Sequence, residues 1–98
     1  MPNKRNRRVV VADDHPVFRA GMRQVIESET GFEVVGEAAD GEQALELCST
    51  LSPDIAVLDI NMPGLSGIEV AERLRGTNPS LRVVILSMQK EEQTLNKA

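Results

Sequence analysis

Three short runs along the chain, residues 9–12, 55–58 and 83–86, are continuous in apolar side chains and rich in β-branched residues. Such runs predict strands buried on both faces, the pattern of a parallel sheet. Phe32-Glu33-Val34-Val35-Gly36 reads as a further strand. Between the strands the period changes. Val17, Phe18, Gly21, Met22, Val25 and Ile26 recur at helical spacing. Pro16 suits the first turn of that helix and Gly31 its end. Asp40 and Gln43 resemble a capping box ahead of a second helix with Ala44, Leu45, Cys48 and Leu51 on its apolar face, stopped by Pro53. Asn61-Met62-Pro63-Gly64 is a turn. Ser66-x-x-Glu69 is a capping box opening a third helix that carries Ile68, Ala71 and Leu74 and closes at Gly76 and Pro79. Residues 91–98 begin a fourth helix.

Alternating strands and helices predict an α/β fold, a parallel sheet with helices on both faces. In such sheets ligands sit beyond the carboxyl ends of the strands, at the switch point. That rule singles out Asp13 and Asp14 after the first strand, Asp59 after the third and Ser87 after the fourth, all expected at one edge.

The 98 residues allow one domain. The net charge of -4 gives no general attraction to nucleic acid or to an anionic membrane. Aromatic residues make up 2% (Phe18 and Phe32), which argues against stacking on bases. The basic cluster Lys4, Arg5, Arg7 and Arg8 reads as a solvated leader, with a nucleic-acid arm as the minor alternative. A single cysteine, Cys48, rules out an internal disulfide and suits a reducing compartment; on the apolar face of a helix it reads as a packing residue. No apolar run approaches the roughly 20 residues of a membrane span, so the cytoplasm is the expected location.

Three carboxylates at neighbouring strand ends repel one another, on the order of 4 kcal/mol for two charges 4 Å apart in an intermediate dielectric. A hard divalent cation such as Mg²⁺ would offset that repulsion. The alternative is that Asp13 caps the first helix and another carboxylate is solvated. Asp59, at the end of an apolar strand, is placed to act as a nucleophile toward phosphorus, a reaction that needs positioning and charge neutralisation above all. The Asn61 carbonyl is a candidate third protein ligand. Ser87 either puts a hydroxyl near the phosphoryl group or caps the next helix. His15 reads as a surface residue beside the carboxylates, with general base or metal ligand as the lesser alternatives.

Asp13-Asp14 after strand one, Asp59-x-Asn61-Met62-Pro63-Gly64 after strand three and Ser87 after strand four resemble the response-regulator receiver domain of two-component signalling. The segment from Ala12 to Gly21 is most similar to regulators whose receiver precedes a helix-turn-helix DNA-binding domain. The resemblance covers residues 8–98 and implies a flavodoxin-like, doubly wound sheet of strand order 2-1-3-4. It implies that Asp59 accepts a phosphoryl group from a sensor histidine kinase. Asp14 would then bind Mg²⁺ directly, with Asp13 assisting through water and the Asn61 carbonyl completing the ligands. Ser87 would swing toward the phosphoryl group and switch a surface at strand four and helix four, a local charge event biasing a two-state element.

Family members carry a fifth strand, a fifth helix and a lysine at the end of strand five. This sequence reaches Ala98 within its fourth helix, and neither Lys90 nor Lys97 holds the lysine's position. The domain over residues 1–98 is therefore expected to be C-terminally incomplete, with strand four an exposed apolar edge. Such edges recruit other strands, which predicts a homodimer or a domain-swapped dimer through strand four.

Two rival functions remain. One is a phosphorylation-deficient fragment serving as a dimerisation or interaction module. The other is a phosphatase with an aspartyl nucleophile; such enzymes place an acid two residues further on, where Asn61 cannot serve. No nucleotide-binding glycine motif follows strand one. The chain is thus read as a signalling protein, catalysing at most its own phosphorylation and dephosphorylation, with no direct nucleic-acid or membrane contact by this segment.

Overall fold

The computed structural model describes residues 6–86. Its elements alternate in chain order: β1 (Arg7–Ala12), α1 (Pro16–Glu27), β2 (Phe32–Ala38), α2 (Gly41–Leu51), β3 (Ile55–Asp59), α3 (Gly67–Thr77) and β4 (Arg82–Leu86). The strands form one sheet in the order β2-β1-β3-β4, and every pairing is parallel.

The sheet's two faces carry separate cores. One unites Val10, Ala12, Ala56 and Leu58 of the central strands with Ala44 and Cys48 of α2 and Val70 and Leu74 of α3. The other sets Val9, Val11 and Val34 against Met22 and Ile26 of α1. Adjacent residues of β1 therefore feed opposite faces, the geometric reason its run is apolar without a break.

Local chemistry fixes the helix ends. Asp40 Oδ1 accepts from the Gln43 N–H at 2.8 Å, while Gln43 Oε1 accepts from the Ala39 N–H at 2.7 Å, one residue before the partner a true capping box would use. At Ser66 the box is complete: Ser66 Oγ accepts from the Glu69 N–H and Glu69 Oε1 from the Ser66 N–H.

Several sequence expectations are corrected. Arg7 and Arg8 lie in β1, not in a solvated leader. The Arg8 guanidinium donates to the carbonyls of Leu51 (2.6 Å) and Ser52 (3.0 Å) and so caps the end of α2. Helix α1 stops at Glu27, ahead of Gly31, and buries no residue fully. Met22 and Ile26 of its stripe pack against the sheet, whereas Val17 at 81% and Val25 at 67% exposure face outward. On α3, Val70 is the inward residue and Ile68 is exposed. Strand β4 is the exposed apolar edge that the strand order predicts: Val84 and Ile85 are exposed, and β3 is its one partner among the described strands.

Candidate functional site

The β1–β3 register pairs Ala12 with Leu58. The next residues along these parallel strands are Asp13, just past the end of β1, and Asp59, the last residue of β3, both at the sheet's carboxyl edge. Both are fully buried. On the far side of β3, Asp59 pairs with Leu86 at the end of β4. The sequence-derived convergence of the first and third strand ends is therefore present in the fold. Ser87 and the expected helix over residues 91–98 lie outside the described residues, as do Lys90 and Lys97.

Each carboxylate is oriented by nearby backbone. Asp13 Oδ1 accepts from the His15 N–H at 2.8 Å, so the side chain folds back over the turn into α1. The contact is to the residue preceding the helix, which makes Asp13 a turn-former more than a conventional cap. Asp59 Oδ1 accepts from the Asn61 N–H at 3.3 Å, a similar local loop. Asn61 is exposed. Asp14 is partly exposed, and its Oδ1 lies 3.0 Å from His15 Nδ1. His15 is itself exposed, as expected, and packs edge-on against Phe18 with ring centroids 5.6 Å apart.

The donor set suits a cation. Asp13, Asp14 and His15 each offer a ligand atom within 4.8 Å of the others. Two of those atoms are carboxylate oxygens, the ligand type that Mg²⁺ prefers. Asp59 supplies a third carboxylate at the adjacent strand end, outside that group of three.

Two supporting residues were not singled out from sequence. The first is Gly67, at the start of α3. A Cβ there would lie 2.4 Å from the Asp59 carbonyl oxygen and 3.0 Å from Ile60 Cα, both backbone atoms. The Gly67 N–H donates to the Ile60 carbonyl at 3.1 Å. Close backbone approach thus ties the loop after Asp59 to the helix, and glycine is what permits it. The second is Arg19, whose guanidinium donates to the Asp13 carbonyl at 2.9 Å. A cation near a helix N-terminus is unusual against the helix dipole, but nothing local in the sequence names Asp13 as its partner.

Comparison with known proteins agrees with this fold. The family model for the response regulator receiver domain matches residues 9–98. The nitrate/nitrite response regulator protein NarL of Escherichia coli (strain K12) is 41% identical over 93 residues, covering 95% of this chain and 43% of that protein. The chain thus spans under half the length of this curated relative. Among solved structures, a LuxR-family two-component response regulator from Aurantimonas sp. SI85-9A1 is 37% identical with a TM-score of 0.81, covering 94% of this chain and 66% of that one. The isolated REC domain of RcsB from Salmonella enterica serovar Typhimurium, solved with the phosphomimetic BeF3-, is 30% identical with a TM-score of 0.79, covering 93% of this chain and 68% of that one.

Proposed function

The chain belongs to the response-regulator receiver family, and on that premise we propose that Asp59 is its phosphoacceptor, working beside a Mg²⁺ ion held by Asp14, Asp59 and the Asn61 carbonyl, with Asp13 acting through water. The observation that carries this reading is the burial of Asp13 and Asp59 at the ends of directly paired strands. Placing two carboxylates there has an electrostatic cost that a divalent cation offsets.

An Asp59 carboxylate oxygen attacks the donor phosphorus. The new O–P bond forms as the donor's bond to phosphorus breaks, and the leaving group departs with that electron pair. With a sensor histidine kinase as partner, the leaving group is its histidine imidazole. The Asn61 N–H limits rotation of the Asp59 carboxylate and so helps hold the attacking oxygen in line. Bound Mg²⁺ supplies charge neutralisation at the transferring phosphoryl group. Asp13, folded back onto the His15 N–H, has its carboxylate oriented at the strand end where the cation would be held. Ser87 is the hydroxyl that would meet the phosphoryl group and relay the change to strand four and helix four.

This is a signalling role whose covalent step occurs on the chain itself, and it fits a location in the cytoplasm, within reach of the kinase. Among the described residues no helix is long and apolar enough to cross a membrane. Incubation with acetyl phosphate and Mg²⁺, followed by intact mass measurement, tests the assignment. The parent should gain one phosphoryl group that Asp59→Asn and metal-free samples do not. An unmodified parent would instead favour the interaction-module reading, for which the exposed β4 edge is the supporting feature.

A further inference from the structure

Arg19 makes two side-chain contacts that join the acidic site to the sheet. Its guanidinium donates through one terminal nitrogen to the Asp13 carbonyl at 2.9 Å and through Nε to Glu37 Oε1 at 3.2 Å. Its backbone N–H donates to the His15 carbonyl at 2.9 Å, the first turn of α1. Glu37 stands on β2, and its other oxygen accepts from Arg23 at 2.7 Å. The Asp13 N–H meanwhile donates to the Ala38 carbonyl, the last residue of β2, at 3.0 Å. The backbone of Asp13 is therefore gripped from both ends, with both grips traced to the end of β2.

We propose that Arg19, anchored by Glu37, is a positioning residue for cation binding: it fixes the Asp13–Asp14 peptide, and with it the directions of both carboxylates. The inference rests on the Mg²⁺ site proposed above. A planar guanidinium can hold a carbonyl and a carboxylate together, and a lysine ammonium cannot reproduce that fork. Glu37 neutralises the guanidinium, which limits its repulsion of a cation at the neighbouring acidic site.

Charge and position make opposite predictions. Removing a nearby positive charge should, by Coulomb's law alone, strengthen Mg²⁺ binding. Loss of the clamp should weaken it. Calorimetric titration of the whole chain with Mg²⁺ separates the two. For Arg19→Met the dissociation constant should rise about tenfold, the low end of what lost supporting contacts around metal ligands cost. Arg19→Lys should also bind more weakly although its charge is unchanged. Arg23→Met removes the same charge from the same glutamate without touching Asp13, and should stay within about twofold of the parent.

In metal-free protein the Asp14 amide resonance should move in both Arg19 variants and hold still in Arg23→Met. Arg19→Lys keeps the test decisive should Arg19→Met fold poorly. Equal or tighter Mg²⁺ binding by the folded Arg19 variants would overturn the positioning role. A parent that neither binds Mg²⁺ nor accepts a phosphoryl group would instead overturn the proposed function, and this inference with it.

Discussion

The clearest consequences at the scale of single residues come from groups whose surroundings leave no room for change. Gly67→Ala forces a methyl against the Asp59 backbone. A loss of about 1–3 kcal/mol is expected, measured by urea denaturation. Gly76, in the same helix with nothing within 4 Å of a Cβ, is the control: Gly76→Ala should stabilise by about 0.5–1 kcal/mol. Burial pushes the Cys48 thiol up to about 11 from 9.0. Unfolding then releases a proton between those values, so stability falls as pH rises through that window, by about 1.4 kcal/mol per unit. Urea midpoints for the parent should decline more steeply from pH 9 to 11 than those for Cys48→Ala. The acidic residues and Cys48 were legible in the sequence because strand ends and helix faces follow from local pattern. Arg19, Arg8 and Gly67 were not. Their partners, Asp13, Leu51 and Asp59, are fixed by how elements dock, and no local spacing encodes that.

Among the elements, α3 shows local code and tertiary packing agreeing. Its capping box could be read directly as Ser66-x-x-Glu69 and is present in full. Ser66→Ala should cost about 1 kcal/mol by thermal denaturation, with the site otherwise intact. The buried face of the same helix was read less well, since Ile68 and Val70 both fit an apolar stripe and the position of the sheet decides between them. Helix α1 differs again. Its stripe is wider than the surface it covers, so Val17 and Val25 are left outward. The far end of α1 is tied to β2 by Glu27, whose carboxyl is held below its usual range chiefly by the Val34 N–H, with Arg23 adding to the effect. Acidification through the carboxylate range therefore weakens this tie.

For the molecule as a whole, the four-strand order and parallel sense were deducible because alternating elements and a family resemblance leave few topologies. The apolar pattern of residues 83–86 alone does not tell an edge strand from a central one; it was the strand order that marked β4 as an edge, and Val84 and Ile85 are indeed exposed. On the α1 side a groove of about 430 Å³ runs past Val17, Gly21, Val25, Val57 and Leu86. Val84 and Ile85 of β4 are also exposed. Exposed apolar edges template further pairing, so the expectation to be tested is self-association through β4. Light scattering should show a mass that grows with concentration, and Val84→Lys should reduce that growth. A constant monomer mass at high concentration would count against edge pairing.

The strand order also sets a timetable for synthesis. β1 is made first, yet it lies between β2 and β3. Its β2 side can be satisfied once residue 38 has left the ribosome, whereas its β3 side waits for residues 55–59. At translation speeds of about 5–20 residues per second, that interval is on the order of one to a few seconds. Throughout it the nascent chain carries a central strand with one bare flank, and the carboxylate that would take the phosphoryl group has yet to be made. The signalling chemistry therefore becomes possible only when the polypeptide has closed its sheet around its own first strand.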